Sequence, residues 1–167
     1  GNALDTFRGH GQSVRSVHFS PNGRLLASSD ATGLVRLWAI GGQGAAARGQ
    51  VMRSLQGHTR EVRAVVFSPD GRLIASGGED HVLRICDSVS GKPVFPPRRH
   101  RNQVRKVGFS PDSSFVWAVS DNDVLVWDTA AAELVGPRLR HPKDPVAFAW
   151  SADSQRFVTI GDSFSPR

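Results

Sequence analysis

Residues 14–28 read VRSVHFSPNGRLLAS, and residues 62–76 read VRAVVFSPDGRLIAS. Two further stretches follow the same plan: VRKVGFSPDSSFVWA over 104–118 and VAFAWSADSQRFVT over 146–159. Each opens on alternating apolar residues, such as Val17 and Phe19, the period-two signature of a strand with one buried face. The first two then enter a Ser-Pro-Asx-Gly turn. Asn22-Gly23 and Asp70-Gly71 are strong hairpin signals, because these residue types accept the positive φ that a tight turn requires. A second apolar run follows, at Leu25–Ala27 and Leu73–Ala75.

Working outward, the plan is periodic. The anchors Phe19, Phe67, Phe109 and Trp150 are spaced by 48, 42 and 41 residues, and His10, His58, His100 and His141 keep the same step. Trp38, Cys86 and Trp127 trail the first three histidines by 28, 28 and 27 residues. A third apolar run ends at each of them: Leu34–Trp38, Val82–Cys86 and Val124–Trp127. A fourth, less regular run precedes the next histidine: Val51–Leu55, Pro93–Phe95 and Leu134–Leu139. Four short strands in about 40–45 residues form one unit of a radial β-repeat. The expected fold class is all-β: a β-propeller of four-stranded antiparallel blades, about three and a half of them in this chain.

Gly9-His10, Gly57-His58, the FSPNG and FSPDG turns and Trp127-Asp128 resemble the WD-repeat family over about residues 3–160. GKPVFPPRRH and ELVGPRLRH further resemble bacterial arrays of that family, which are often joined to protein kinases or signalling ATPases. The resemblance implies blades over about 10–56, 57–98 and 99–140, an incomplete one over 141–167, and an outer strand without its blade at residues 3–8. Family rings usually hold about seven blades, so roughly half a ring is expected. Three origins stay open: a piece of a longer chain, which is the preferred one, a truncated reading frame, or half of a ring closed by two chains.

The resemblance also implies one buried hydrogen-bond network per blade, from tryptophan to serine to histidine to aspartate. Carried over, the first blade supplies His10, Ser28 and Trp38, with Thr32 at the aspartate position and Asp30 close by. The second supplies His58, Ser76 and Asp80, with Cys86 in place of tryptophan. The third supplies His100, Asp121 and Trp127, with Ala118 near the serine position. Each blade is thus expected to lack one member, at about 1–3 kcal/mol for each buried group left unpaired.

Function follows from what is present and what is missing. Histidines placed one per blade radiate apart, so no metal, cofactor or catalytic site is expected. Gly42-Gln43-Gly44-Ala45-Ala46-Ala47 fits a loose dinucleotide pattern, but no helix and parallel strand follow it, so it reads as a loop. The formal net charge is +6 with a pI near 10.9. Without aromatic residues interleaved among the arginines, nucleic acid is an improbable partner. No apolar run approaches the roughly 18 residues of a membrane span. The single Cys86 leaves no intramolecular disulfide and favours a reducing, cytoplasmic compartment. The expected role is a non-enzymatic protein-interaction scaffold, with a regulatory region of a signalling enzyme as the alternative. Arg15, Arg63 and Arg105 hold the same place in three successive units and form the candidate partner surface. Arg60 and Lys106 lie beside them. Such an arc suits an acidic protein or peptide; pairing of each arginine with an acid such as Glu61 or Glu79 is the competing expectation. Open blade edges further suggest self-association.

Overall fold

The computed structural model describes residues 6–40, 49–143 and 145–161, with only the backbone described at Val146. Its strands are β1 (Val14–Phe19), β2 (Leu25–Asp30), β3 (Val35–Ala39), β4 (Val51–Leu55), β5 (Val62–Phe67), β6 (Leu73–Gly78), β7 (Val82–Asp87), β8 (Arg98–Arg99), β9 (Val104–Phe109), β10 (Phe115–Ser120), β11 (Asp123–Asp128), β12 (Leu139–Arg140), β13 (Pro145–Trp150) and β14 (Phe157–Gly161). β1–β4, β5–β8 and β9–β12 are three four-stranded antiparallel sheets, and β13–β14 is a two-stranded one. The all-β propeller of about three and a half blades expected from the repeat is what forms. The dinucleotide-like stretch 42–47 lies outside the described residues. Residues 3–5 do so as well, and residues 6–8 are not in a strand.

The repeat sets the register. Phe19 faces Leu26, Phe67 faces Ile74 and Phe109 faces Val116 across the first hairpin of each blade. The Ser-Pro-Asx turn is held by its serine: Ser20, Ser68 and Ser110 each donate from Oγ to the Asx side chain two residues on, at 2.8, 2.5 and 2.6 Å. The fourth run, less regular in sequence, is one strand in the first blade and interrupted in the second and third. Pro93 and Leu134 make isolated bridges to Cys86 and Trp127, and pairing resumes only at β8 and β12. Pro96-Pro97 and Gly136-Pro137 fall in the gaps, and proline has no N–H to give to a ladder.

The core lies between blades. Ala27, Val35 and Leu37 of the first sheet pack on Val62, Val65 and Phe67 of the second. Ala75, Leu83 and Ile85 of the second pack on Val104, Val107 and Val116 of the third. Trp117 stacks on Phe148 of the fourth, with ring centroids 4.2 Å apart. The two end sheets show the same faces bare. Val17 and Phe19 are 59% and 60% exposed, whereas their counterparts Val65 and Phe67 are 0% and 3% exposed. At the other end Val158 and Ile160 are each 55% exposed. No helix of the described residues is long and apolar enough to cross a membrane.

Candidate functional site

Two sets of polar residues stand out: a network inside each blade and a charged band on one face. The inner network positions the loops that carry the outer band, so it comes first.

In the first blade Trp38 Nε1 donates to Ser28 Oγ at 2.7 Å, the Ser28 hydroxyl meets His10 Nε2 at 2.5 Å, and His10 Nδ1 donates to Asp30 Oδ2 at 2.7 Å. The expectation that every blade lacks a member is therefore corrected here. Asp30 takes the aspartate's place from the end of β2. The Asp30 Oδ1 atom also accepts from the Thr32 hydroxyl at 2.6 Å and from the N–H groups of Thr32 and Leu34. Burial alone would raise the Asp30 pKa. These bonds from Thr32, His10 and Leu34 outweigh it and hold it at about 2.

In the second blade His58 Nδ1 donates to Asp80 Oδ2 at 2.9 Å, and Ser76 Oγ lies 2.9 Å from His58 Nε2. Cys86 occupies the register of Trp38: it faces Ile74 as Trp38 faces Leu26. Burial lowers the His58 pKa despite the Asp80 carboxylate. The glycine of each Gly-His pair has its own cause. A Cβ at Gly57 would sit 2.8 Å from the Arg84 guanidinium, which donates from Nη2 to the Gly57 carbonyl.

The third blade differs most. Ala118 faces Val107, the register at which Ser28 faces Val17 and Ser76 faces Val65, so the hydroxyl is missing. Both ring nitrogens of His100 are buried without a hydrogen-bond partner. Asp121 does not serve His100, which corrects its assignment to the network. It accepts instead from Asn102 Nδ2 at 3.0 Å and pairs with Arg105 Nη2 at 3.5 Å. Turn length explains the shift. Residues 31–34 join β2 to β3, 79–81 join β6 to β7, but only 121–122 join β10 to β11. The short turn places Asp121 at φ 54 and leaves Asp123 as the acid whose charge acts on His100. Burial, aided by the charge of Arg138, pushes the His100 pKa down to about 4.

The outer band contains the three repeated arginines. Arg15 Nη2 lies 2.8 Å from Glu61 Oε2, and Arg63 reaches Glu61 at 3.7 Å and Glu79 at 2.5 Å. With the Arg105–Asp121 pair, each arginine has a carboxylate beside it. Their side chains remain 46%, 39% and 36% exposed. Sequence reasoning did not reveal the open cleft of about 340 Å³ within this band. Arg60, Glu79, His81, Asn102, Gln103, Arg105 and Asp121 line it, at the junction of the second and third blades. Among the described residues, no group of three or more His, Cys, Asp or Glu could hold a metal ion.

Comparison with known proteins agrees with this geometry. A family model described as "WD domain, G-beta repeat" matches residues 1–39, 49–87 and 91–128. A chain in the crystal structure of the mitotic checkpoint complex superposes with a TM-score of 0.80 at 25% identity, over 93% of this chain and 47% of that one. The structure of U3-55K superposes with a TM-score of 0.75 at 21% identity, over 85% of this chain and 44% of that one. The chain thus spans about half the length of these structures.

Proposed function

The chain belongs to the WD-repeat family, and on that premise we propose that it is a non-enzymatic scaffold whose banded face binds an acidic segment of a partner protein. One observation carries the reading. Arg15, Arg63 and Arg105, from three successive blades, are fixed by carboxylates and still open to solvent. Ordering a free arginine costs up to about 2 kcal/mol of side-chain entropy; here part of that cost is met before a partner arrives. With Arg60, four cations on this band face three acids, Glu61, Glu79 and Asp121, so the balance favours an anionic partner. The mitotic checkpoint complex is itself an assembly of several proteins, which supports a binding role for this chain as well.

The test replaces Arg15, Arg63 and Arg105 together by glutamate and measures binding to an acidic peptide library across salt concentrations. The unmodified chain should bind more weakly as salt rises, and the triple variant should lose that binding. Unchanged affinity with an unchanged salt slope removes the band as the partner surface.

Self-association belongs to the same proposal. Val17 and Phe19 at one end, and Val158 and Ile160 at the other, expose apolar faces whose counterparts inside the chain are packed. Light scattering should give a mass above that of one chain, and a monodisperse monomer would remove this part.

A further inference from the structure

We propose that the cleft between the second and third blades is a binding site for one carboxylate side chain, glutamate or aspartate, on an extended segment of a partner protein. This rests on the reading that the banded face binds a protein. It adds where the acidic residue goes and which charge type it carries.

The cleft's charges divide into those already matched and one that is not. Glu79 accepts from Arg63 Nη2 at 2.5 Å, and the Arg63 and Arg60 charges together help hold its pKa below the ordinary carboxylate range. Asp121 accepts from Asn102 and pairs with Arg105. That leaves Arg60. It is exposed, on the loop between His58 and β5, and makes no hydrogen bond or ion pair among the described residues. It lines the cleft opposite Asn102 and Gln103, which come from the equivalent loop of the next blade. A guanidinium offers its donors as a planar fork that suits a carboxylate. The Gln103 carboxamide adds a neutral donor to the cleft lining.

The walls also define what is refused. The Glu79 and Asp121 carboxylates border the cleft, so a second negative charge on the ligand meets acidic side chains on two sides. One arginine without a hydrogen bond or ion pair of its own matches a monoanion. A carboxylate fits this site better than a phosphate carrying close to two charges. The volume of about 340 Å³ accommodates a side chain with its flanking backbone, and the open shape admits a strand-like segment.

The experiment uses the whole chain and an array of short neutral peptides that each carry one central glutamate. Matched arrays carry glutamine or phosphoserine instead. Glutamate peptides should bind above their glutamine counterparts. For the best of them, Arg60→Ala should weaken binding about fivefold or more, in line with a charge-assisted bond. Arg60→Lys should retain part of the affinity, and Arg24→Ala, an exposed arginine in the first blade's turn and outside both the cleft and the band, should change it less than about twofold. Arg60 is exposed, so its loss should leave the unfolding midpoint unmoved; the midpoint is measured alongside. If glutamate peptides bind but Arg60→Ala matches the unmodified chain, the cleft assignment is overturned while the acidic-partner reading stands. A preference for phosphoserine over glutamate overturns the monoanion assignment. Equal binding of glutamate and glutamine peptides sinks both the site and the reading beneath it.

Discussion

The Oγ of Ser113 accepts a hydrogen bond from the backbone N–H of Asp70 at 3.1 Å, tying the first turn of the third blade to that of the second. Ser154 repeats the contact one blade later, accepting from Asp112 N–H at 3.1 Å. Both serines stand where the earlier blades have Gly71 and Gly23, and both keep the positive φ of that glycine, 66° and 58°. The chain thus accepts a strained backbone and gains a bond between blades. Ser113→Ala keeps the strain and leaves Asp70 N–H unpaired, at a cost of about 1–3 kcal/mol. Ser113→Gly loses the same bond but relieves about 1–2 kcal/mol of left-handed strain. Urea unfolding should therefore rank the glycine variant above the alanine variant. Equal losses would mean that the positive φ at this position carries no strain.

Asp30 anchors the first blade through four hydrogen bonds, from His10, the Thr32 hydroxyl, Thr32 N–H and Leu34 N–H. Asp30→Ala strands all four donors, and a loss of about 3–5 kcal/mol is expected. Thr32→Ala removes one of them and should cost about 1 kcal/mol. The pH dependence has a definite sign. The folded pKa of about 2 lies below the ordinary 3.8, so this stabilisation is fully present above pH 3.8 and is lost as pH falls toward 2. Acid unfolding of the Asp30→Ala variant should show a shallower slope in that window.

Much of this was legible in the sequence because the repeat is written in residues that have no alternative. Phe19, Phe67 and Phe109 mark one face, and the Ser-Pro-Asx turns mark where each first hairpin reverses. The network was legible in the second blade, at His58, Ser76 and Asp80. The first blade keeps the same spacing, and Asp30, close to the expected position, reaches His10 in place of Thr32. In the third blade the turn is one residue shorter, and Asp121 holds a plausible position but points elsewhere. A side chain's direction depends on the backbone of its turn, and a one-residue difference in turn length rotates it away. The role of Ser113 was not legible, since its partner Asp70 lies in the neighbouring blade. The cleft at Arg60 was hidden for the same reason: its walls come from two blades about 40 residues apart.

Cys86 lies in the register of Trp38, with Ser76 placed across the sheet as Ser28 is. Cys86→Trp should supply the missing indole donor to Ser76 and raise stability by about 1 kcal/mol. The Arg84 guanidinium beside it corresponds to Arg36, which lies 5.8 Å from the Trp38 ring centre, so a cation–π contact is expected to return as well. A loss of stability of about 1–3 kcal/mol would instead show that the core has closed around the thiol.

His100 gives the third blade a pH dependence of its own. Its pKa of about 4 is depressed below the ordinary 6.5, chiefly by burial and next by the charge of Arg138. The unfolded chain therefore binds the proton more readily, and stability falls as pH drops from about 6.5 toward 4. At about 1.4 kcal/mol per pKa unit, the loss is on the order of 3 kcal/mol. His100→Phe keeps a ring against Trp127, whose centroid lies 5.3 Å away, and removes the titration. Its unfolding midpoint should fall less steeply over the window in which that of the unmodified chain falls, the remaining fall belonging to His58 and His18, whose pKa values burial also lowers. Parallel curves would place the pH dependence on another group.

Ala118→Ser tests whether the third network is unfinished or has been replaced. Ala118 is fully buried and faces Val107, in the register where Ser28 and Ser76 meet their histidines. A hydroxyl there should reach His100 Nε2, which has no partner at present. A net gain of about 0.5–1.5 kcal/mol is expected, less the cost of fitting one more atom into a packed core. Stability alone does not separate a new bond from better packing, so the second readout is the His100 titration followed by NMR. In a serine–histidine pair the hydroxyl donates to the neutral ring, which favours the neutral form and lowers the pKa further. The two effects should appear together, a higher midpoint and a His100 pKa below about 4. A raised midpoint with an unmoved pKa would assign the gain to packing and leave His100 unpaired. A lowered midpoint would show that the blade has settled around alanine and no longer has room for the serine.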